Sequence, residues 1–331
     1  MSERSATRDP WERVVSLDRP GIYESNYLKA NSPDGERALW IKHNLLRPAR
    51  GHALGEFWAV LFQRGEPPVV AKREVDWETV VVDIEGIGIT CGTVRLGAGE
   101  AHGALADIRW DLSLSGGLAP ILHLPSDWMY RAGFPKKKLV TPAPNLRFDG
   151  TVEVAGTTWQ VDGWSGLRGH NWGTEHAWRY AYGNCNLWDD RGQRAVDGFT
   201  ARIRLGPLRS PLLSSLVSRH PDREHNAVWQ WLGAGSFSER RWEVAWGRGN
   251  DRTHLVMEAP DDNWAGLRYP HPDGKVSFCY NTKFAQVTWE EGTERHTSRC
   301  GELEILLPEP MIGVALHPDP DWNPAKGDYR S

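Results

Sequence analysis

Leu105-Ala106-Asp107-Ile108-Arg109-Trp110-Asp111-Leu112-Ser113-Leu114 decides the fold class, because apolar residues stand at 106, 108, 110, 112 and 114 with mostly polar ones between. A period of two over that length is a strand with one dry face and one wet face. The same rhythm recurs outward in both directions. Thr151-Val152-Glu153-Val154 alternates, Ala155-Gly156 turns the chain, and Thr157-Thr158-Trp159-Gln160-Val161-Asp162 continues, which is a hairpin signature. Glu56 to Phe62 is a short apolar run, and Ala201 to Leu205, Arg241 to Trp246 and Cys300 to Leu306 alternate again. Turn clusters such as Ser32-Pro33-Asp34-Gly35, Gly86-Ile87-Gly88 and His271-Pro272-Asp273-Gly274 punctuate these runs.

Helix signals are sparse. The spacing of Leu212, Leu213, Leu216 and Val217 predicts one short helix over Pro211 to Arg219. Arg131 to Asn145 breaks the strand rhythm with three prolines and the run Lys136-Lys137-Lys138. It reads as an exposed loop or an extended edge segment, whose lysines could grip an anionic ligand. Many short strands with regular turns argue for sandwiches or barrels, and barrel closure removes exposed edges.

Composition narrows the function classes. The chain has 331 residues, enough for two cores, and a net charge of −4 with both signs interspersed. Nothing in that balance points to nucleic acid. Met1 to Pro10 lacks the apolar stretch of a signal peptide and no later run is long enough to span a bilayer, so a cytoplasmic protein is expected. Cys91, Cys185, Cys279 and Cys300 form no C-x-x-C pair and read as reduced, buried thiols. There are 18 tryptophans against 8 Phe and 8 Tyr. Most should fill cores, and a minority could wall a cavity for a bulky apolar ligand.

The densest patch is Gly163-Trp164-Ser165-Gly166-Leu167-Arg168-Gly169-His170-Asn171-Trp172-Gly173-Thr174-Glu175-His176. Its glycines let backbone approach closely, and its histidines titrate near neutrality. The spacing of His170, Glu175 and His176 fits no standard metal set, so no metal is expected. No P-loop, no G-x-S-x-G and no dinucleotide fingerprint occurs, so neither nucleotide cofactors nor serine hydrolysis is expected.

The runs Lys138-Leu139-Val140-Thr141-Pro142-Ala143-Pro144, Phe148-Asp149-Gly150, Gly163-Trp164 and Gly169-His170-Asn171-Trp172-Gly173 resemble the lipocalin-like superfamily of the carotenoid 1,2-hydratases (hydroxyneurosporene synthases) and, more distantly, the tocopherol cyclases. Tyr23-Glu24-Ser25-Asn26-Tyr27 and Leu39-Trp40-Ile41-Lys42 resemble the family's opening strands. The likeness spans roughly residues 20 to 205 and fits an uncharacterised branch. It implies two consecutive lipocalin-like antiparallel β-barrels, set here at residues 12–167 and 168–320. It also implies acid-catalysed addition of water to an isoprenoid double bond without metal or organic cofactor. The family's His-x-Trp pattern falls on His170 and Trp172. Its Tyr-x-Asp pattern falls on Ala195-Val196-Asp197, which keeps the Asp and lacks the Tyr.

The expected acid is therefore Asp197, with His170 as proton donor or partner and Glu175 as the alternative acid. An Asp that donates at neutral pH needs burial against neighbours such as Phe199. Asp197-Gly198 can equally be read as a plain turn. Asn171, Trp172, Trp164, Trp178 and Tyr182 are the expected substrate contacts. Three functions stay open: a cofactor-independent hydratase, cyclase or isomerase acting on a hydrophobic, isoprenoid-like molecule; a carrier holding such a molecule in a barrel; and a scaffold filled by its own tryptophans. An apolar substrate would bring transient contact with a membrane surface for uptake, and no nucleic-acid partner is expected.

Overall fold

The computed structural model describes residues 20–82, 88–222, 224–226, 234–247, 252–260, 262–317, 322–323 and 328–329. Met1 to Pro10, the expected start of the first barrel at residue 12, most of the Gly86-Ile87-Gly88 turn and the expected end of the second barrel at residue 320 lie outside them.

The chain is all β, with two curled antiparallel sheets, one a half-barrel and one nearly closed. The first contains β1 (Ile22–Asn31), β2 (Arg37–Arg47), β3 (Leu54–Gln63), β4 (Val69–Asp76), β5 (Val81–Val82), β6 (Ile89–Cys91), β7 (Val94–Leu96), β8 (Glu100–Leu105), β9 (Ile108–Gly116), β10 (Ile121–Leu122), β11 (Lys137–Val154) and β12 (Thr157–Gly173). Its order is β4-β3-β2-β1-β12-β11-β9-β8-β7-β6-β5, with β10 paired to β11. Neighbours in sequence are mostly neighbours in space. The exception is β12, which returns to pair with β1 over Tyr23–Gly173 to Asn31–Ser165. The expected seam at residue 168 falls inside this strand.

The second sheet contains β13 (Arg179–Cys185), β14 (Ala195–Arg202), then, past a small hairpin of β15 (Arg204–Leu205) and β16 (Leu208–Arg209), β17 (Leu213–Arg219), β18 (Glu224–Asn226), β19 (Gly235–Phe237), β20 (Arg241–Trp246), β21 (Thr253–Glu258), β22 (Ala265–Pro270), β23 (Val276–Glu291) and β24 (Glu294–Leu307). Its order is β18-β17-β14-β13-β24-β23-β21-β20-β19, with β22 paired to β23.

The alternation that marks β9 is absent from β1, which is buried at every position. The cause is the packing of the two sheets wall against wall. Leu28 and Ala30 join the first sheet's own core. Tyr27, on the other face, joins a layer with Trp40, Trp58 and Phe62 that packs against Tyr180, Tyr182, Leu267, Phe284 and Leu306 of the second sheet. A strand dry on both sides loses its period of two.

Three local expectations change. Pro211 to Arg219 is not a helix: Leu213–Arg219 is β17, paired to β14. Ser214 to Ser218 are all buried, so the paired leucines and valine that mimic a helical stripe belong to a strand covered on both faces. Ala106 and Asp107 form the turn between β8 and β9, with Ala106 at φ 48°, so the alternating strand starts at Ile108. Arg131 to Asn145 is not a solvated loop: from Lys137 onward it is the start of β11, paired to β12 with irregular register beside its prolines and, at Val140 and Thr141, to β10 on its other side. The hairpin at Ala155-Gly156 forms as expected, both residues taking positive φ. All four cysteines are buried and free.

Candidate functional site

Strand alternation divides the Gly163–His176 patch between two sides of β12. His170, Trp164 and Trp172 occupy even positions. His170 is fully buried, with Nε2 2.8 Å from Glu24 Oε1 of β1. Trp164 sits in the first sheet's core beside Trp159, and Trp172 packs with Ile22, Tyr130 and Val140. Gly169 and Asn171 face the other way, toward the second sheet. A Cβ on Gly169 would lie 2.1 Å from Tyr27 Cζ, so this glycine is what lets the Tyr27 ring lie across β12.

That side carries the cavity. Between the sheets lies a cleft with about 1120 Å³ of empty space, its open mouth included. Tyr27 and Trp40 form one wall, and Tyr180, Tyr182, Phe199 and Tyr269 the other. The walls are tyrosine rather than indole, and Trp40 is the one tryptophan lining the cleft among the described residues. The cleft lies between the barrels rather than inside one.

At one end a chain of polar groups leads from the cleft into the protein. Tyr27 donates its hydroxyl hydrogen to Tyr182 at 3.0 Å, and Tyr182 donates to Asp197 Oδ2 at 3.1 Å. Thr141 Oγ1 donates to the same oxygen at 2.6 Å, and His123 Nε2 stands 3.1 Å from Oδ1. His123 Nδ1 stands 3.1 Å from Ser215 Oγ. Tyr27, Tyr182 and His123 line the cleft, with the buried Asp197 carboxylate directly behind them. Burial, then the charge of Asp197, pushes the Tyr182 phenol well above its ordinary range, so it stays protonated and can hand on a proton it receives. The β10–β11 pairing, Ile121 to Thr141 and Leu122 to Val140, brings the segments of His123 and Thr141 together, and both side chains meet Asp197.

The other end is cationic. Lys42 Nζ lies 3.8 Å from the Tyr269 ring centroid, and Lys137 Nζ lies 4.1 Å from that of Tyr180. Glu304 is the acidic residue lining the cleft; it accepts from Tyr180 and, at 2.7 Å, from Asn281. His176 stacks on Tyr23 at 3.9 Å and is held neutral, first by burial and then by the nearby charges of His271, Lys137 and Lys42.

Of the expected site residues, the structure brings together Asp197, Tyr182 and Asn171, the last lining the cleft from β12. Asp197-Gly198 is mid-strand in β14 rather than a turn. His170, Trp164 and Trp172 do not reach the cleft, because alternation aims them to the opposite face. Trp178 lies under the Arg209 guanidinium at 3.6 Å instead. Glu175 is ion-paired to Lys136 at 2.7 Å and Arg204 at 3.3 Å. Partial burial pushes its carboxyl up, but those two partners outweigh it and hold it below the ordinary range, which does not suit an acid.

The sequence reading missed His123, Thr141, Tyr27, Lys42 and Glu304. His123 left one faint trace, a lone imidazole in the apolar run Ile121-Leu122-His123-Leu124. The phenol absent at Ala195 arrives from Tyr182 on the paired strand β13, whose register sets Tyr182 opposite Phe199 and diagonal to Asp197. Among the described residues, no three His, Cys, Asp or Glu side chains are placed to hold a metal ion. No helix there is long and apolar enough to cross a membrane.

No family model matches the chain. Uncharacterized proteins of Mycobacterium tuberculosis, from strains CDC 1551 / Oshkosh and H37Rv, are 24% identical over 303 residues, 90% of this chain and 88% of theirs. Among solved structures, a protein assigned as AttH from Nitrosomonas europaea aligns with TM-score 0.55 and 12% identity over 86% of this chain and 92% of its own. CghA with Sch210972 aligns at 0.54 and 11% identity, covering 86% and 88%. Kievitone hydratase from Nectria haematococca aligns at 0.50 and 8% identity, covering 89% and 93%. The chain shares the lipocalin-like fold of these proteins.

Proposed function

We propose that the protein is an acid–base enzyme, a hydratase, cyclase or isomerase, acting without a cofactor on a hydrophobic, isoprenoid-like small molecule held between the sheets. One observation carries this reading: the Tyr27–Tyr182–Asp197–His123 chain opens into an apolar cleft between the two sheets. Tyr182 stands between Asp197 and the cleft. A proton passed from the Asp197–His123 pair through the Tyr182 hydroxyl to an alkene or enol carbon leaves a cation or an activated carbonyl. Water, or a nucleophile within the substrate, completes the addition, and its proton returns along the same chain. Aromatic walls face such a cation with their electron-rich rings. The fold shared with kievitone hydratase and with CghA bound to Sch210972 supports a small-molecule site and, from the first, hydration as one of the chemistries.

The carrier reading keeps one point in its favour. Both ring nitrogens of His123 are already engaged, by Asp197 and Ser215, so the inner end of the chain is closed. The test separates the two readings. Prenylated and polyene compounds are incubated with the protein in H₂¹⁸O and in D₂O, and products are read by mass spectrometry for gained oxygen or deuterium. Label incorporation that disappears in Asp197→Asn, with binding retained, supports the enzyme. Binding without label in the native protein supports the carrier.

A further inference from the structure

We infer that the cleft selects an apolar molecule carrying one anionic head group, a carboxylate, gripped between Lys42 of β2 and Lys137 of β11. The inference rests on the reading of the cleft as the substrate site and adds the chemical class of the ligand and its orientation.

An ammonium has three donors. Lys42 and Lys137 both line the cleft, yet among the described residues neither makes a hydrogen bond or an ion pair. Their close partners are ring faces: Tyr269 at 3.8 Å and Trp40 at 5.4 Å for Lys42, Tyr180 at 4.1 Å for Lys137. Two other buried lysines pair directly with carboxylates, Lys72 with Glu56 at 2.9 Å and Lys283 with Glu302 at 2.5 Å, whereas Lys29, buried away from the cleft, has no hydrogen-bond partner among the described residues. The cleft lysines therefore keep donors that a ligand can take.

Neutral polar atoms repeat the pattern at this end. Ser25 Oγ and His176 Nδ1 are buried, line the cleft and have no hydrogen-bond partner among the described residues. Both also border, with Lys42 and Asn171, a small adjoining hollow. Ser25 can donate to a carboxylate oxygen, and Asn171 offers its amide from the same side. Glu304 does not close the site, because Tyr180 and Asn281 already hold its two oxygens. Glu56, which borders the adjoining hollow, is likewise held by Lys72 and Asn44, so both carboxylates at this end already have partners of their own. Burial first, opposed by Glu304 and helped by Lys42, lowers Lys137 to about 8, and burial first lowers Lys42 too; a bound anion would raise both.

The head-group end also sets what reaches the proton relay. Tyr180, under Lys137, and Tyr182, beside Asp197, are two residues apart on one face of β13, a rise of about 7 Å. A carboxylate clamped by the lysines places a carbon roughly that far along its chain against the Tyr182 hydroxyl. The apolar remainder then has Phe199, Leu124 and Leu213 of the cleft lining to pack against.

The experiment measures binding, not turnover. Decanoate is compared with decan-1-ol, and farnesoate with farnesol, by tryptophan fluorescence and calorimetry on the full-length protein. Each acid is expected to bind at least about tenfold tighter than its alcohol. Lys42→Met and Lys137→Met keep the side-chain bulk, and each should bring the two affinities together while leaving the alcohol unchanged. Lys137 lies nearer the surface, so its variant carries the test if Lys42→Met fails to fold. Equal affinities in the native protein, a preference that survives in Lys137→Met, or no binding by either acid overturns the inference. The preference is measured on Asp197→Asn as well. Intact preference with no turnover in any background counts against the catalytic reading alone, and turnover without preference counts against this one alone.

Discussion

Tyr27 and Tyr182 join their hydroxyls at 3.0 Å across the gap between the two sheets. The bond ties a ring from β1 to one from β13 and ends on a buried carboxylate, so structure and proton path run through the same atoms. Tyr182→Phe removes the group that separates Asp197 from the cleft and should lower kcat about 100-fold with KM little changed. Tyr27→Phe leaves the Tyr182–Asp197 bond in place and should cost about tenfold or less. Steady-state kinetics on any substrate found by the labelling assay reads the split. Equal effects of the two substitutions would remove Tyr182 from the path.

Gly169 is the backbone counterpart of that bond. A methyl group there would meet the Tyr27 ring at 2.1 Å, far inside contact distance. Both groups sit on paired strands, where Tyr27 is directly opposite Gly169, so neither can step aside cheaply. Gly169→Ala is expected to destabilise the fold by about 1–3 kcal/mol through overpacking. It should also swing the Tyr27 hydroxyl away from Tyr182, visible in near-ultraviolet circular dichroism. Denaturant unfolding gives the first quantity, and an unchanged midpoint would mean that the ring is not packed there.

How far the sequence can be read follows from the same strand. The alternation in Ile108 to Leu114 and the Ala155-Gly156 hairpin were legible because one face of each strand is wet, and period two then survives. The dense Gly163–His176 patch was also legible as the place to look. Which of its residues face the site was not, since a strand buried on both sides gives no sign of which side holds the cleft. His170 and Asn171 are neighbours in the chain, and one residue of alternation sends them to opposite faces. The resemblance singles out Asp197, and the structure places its carboxylate buried behind the cleft. Its hydrogen-bond partners could not be read there, because Thr141, Tyr182 and His123 come from 56, 15 and 74 positions away. Lys137 could be suspected of gripping an anion, but three consecutive lysines among prolines look solvated until their pairing with β12 is seen; Lys42, inside an apolar run, gave no sign of the cleft.

His170 now has a structural task to be tested. Its Nε2 meets Glu24 at 2.8 Å in a fully buried site on the far side of β12 from the cleft. Removing one partner of such a pair is expensive, so His170→Ala should cost about 3 kcal/mol of stability. The protein that remains folded at low temperature should keep kcat within a few-fold of normal. Thermal unfolding and kinetics on the same preparation decide the matter. A hundredfold loss of rate at unchanged stability would return His170 to the catalytic machinery.

The buried imidazoles make stability depend on pH in one direction. Burial, only partly offset by Asp273, lowers His271 to about 4, and burial with the charge of Arg168 lowers His43 to about 3. His176 is lowered as well, by burial first. In the unfolded chain each titrates near its ordinary value of about 6.5. Between those limits the unfolded chain binds protons that the folded one refuses, so stability is complete above about pH 6.5 and falls as pH drops toward 4. His271 alone accounts for a loss of about 3 kcal/mol across that window. The carboxyl of Asp190, pushed up by burial but held down to about 2 by its bonds to Gly192, Arg194 and His296, is spent only at more acid pH and does not blur the effect. Denaturant midpoints at pH 7.5, 6.0 and 5.0 should therefore decline steadily, and His271→Gln, which can still hydrogen-bond Ser277, should flatten the slope by about one proton's worth. A midpoint at pH 5.0 equal to that at pH 7.5 would mean that these imidazoles are solvated, and the packing around Tyr269 and His176 at the head-group end of the cleft would have to be redrawn.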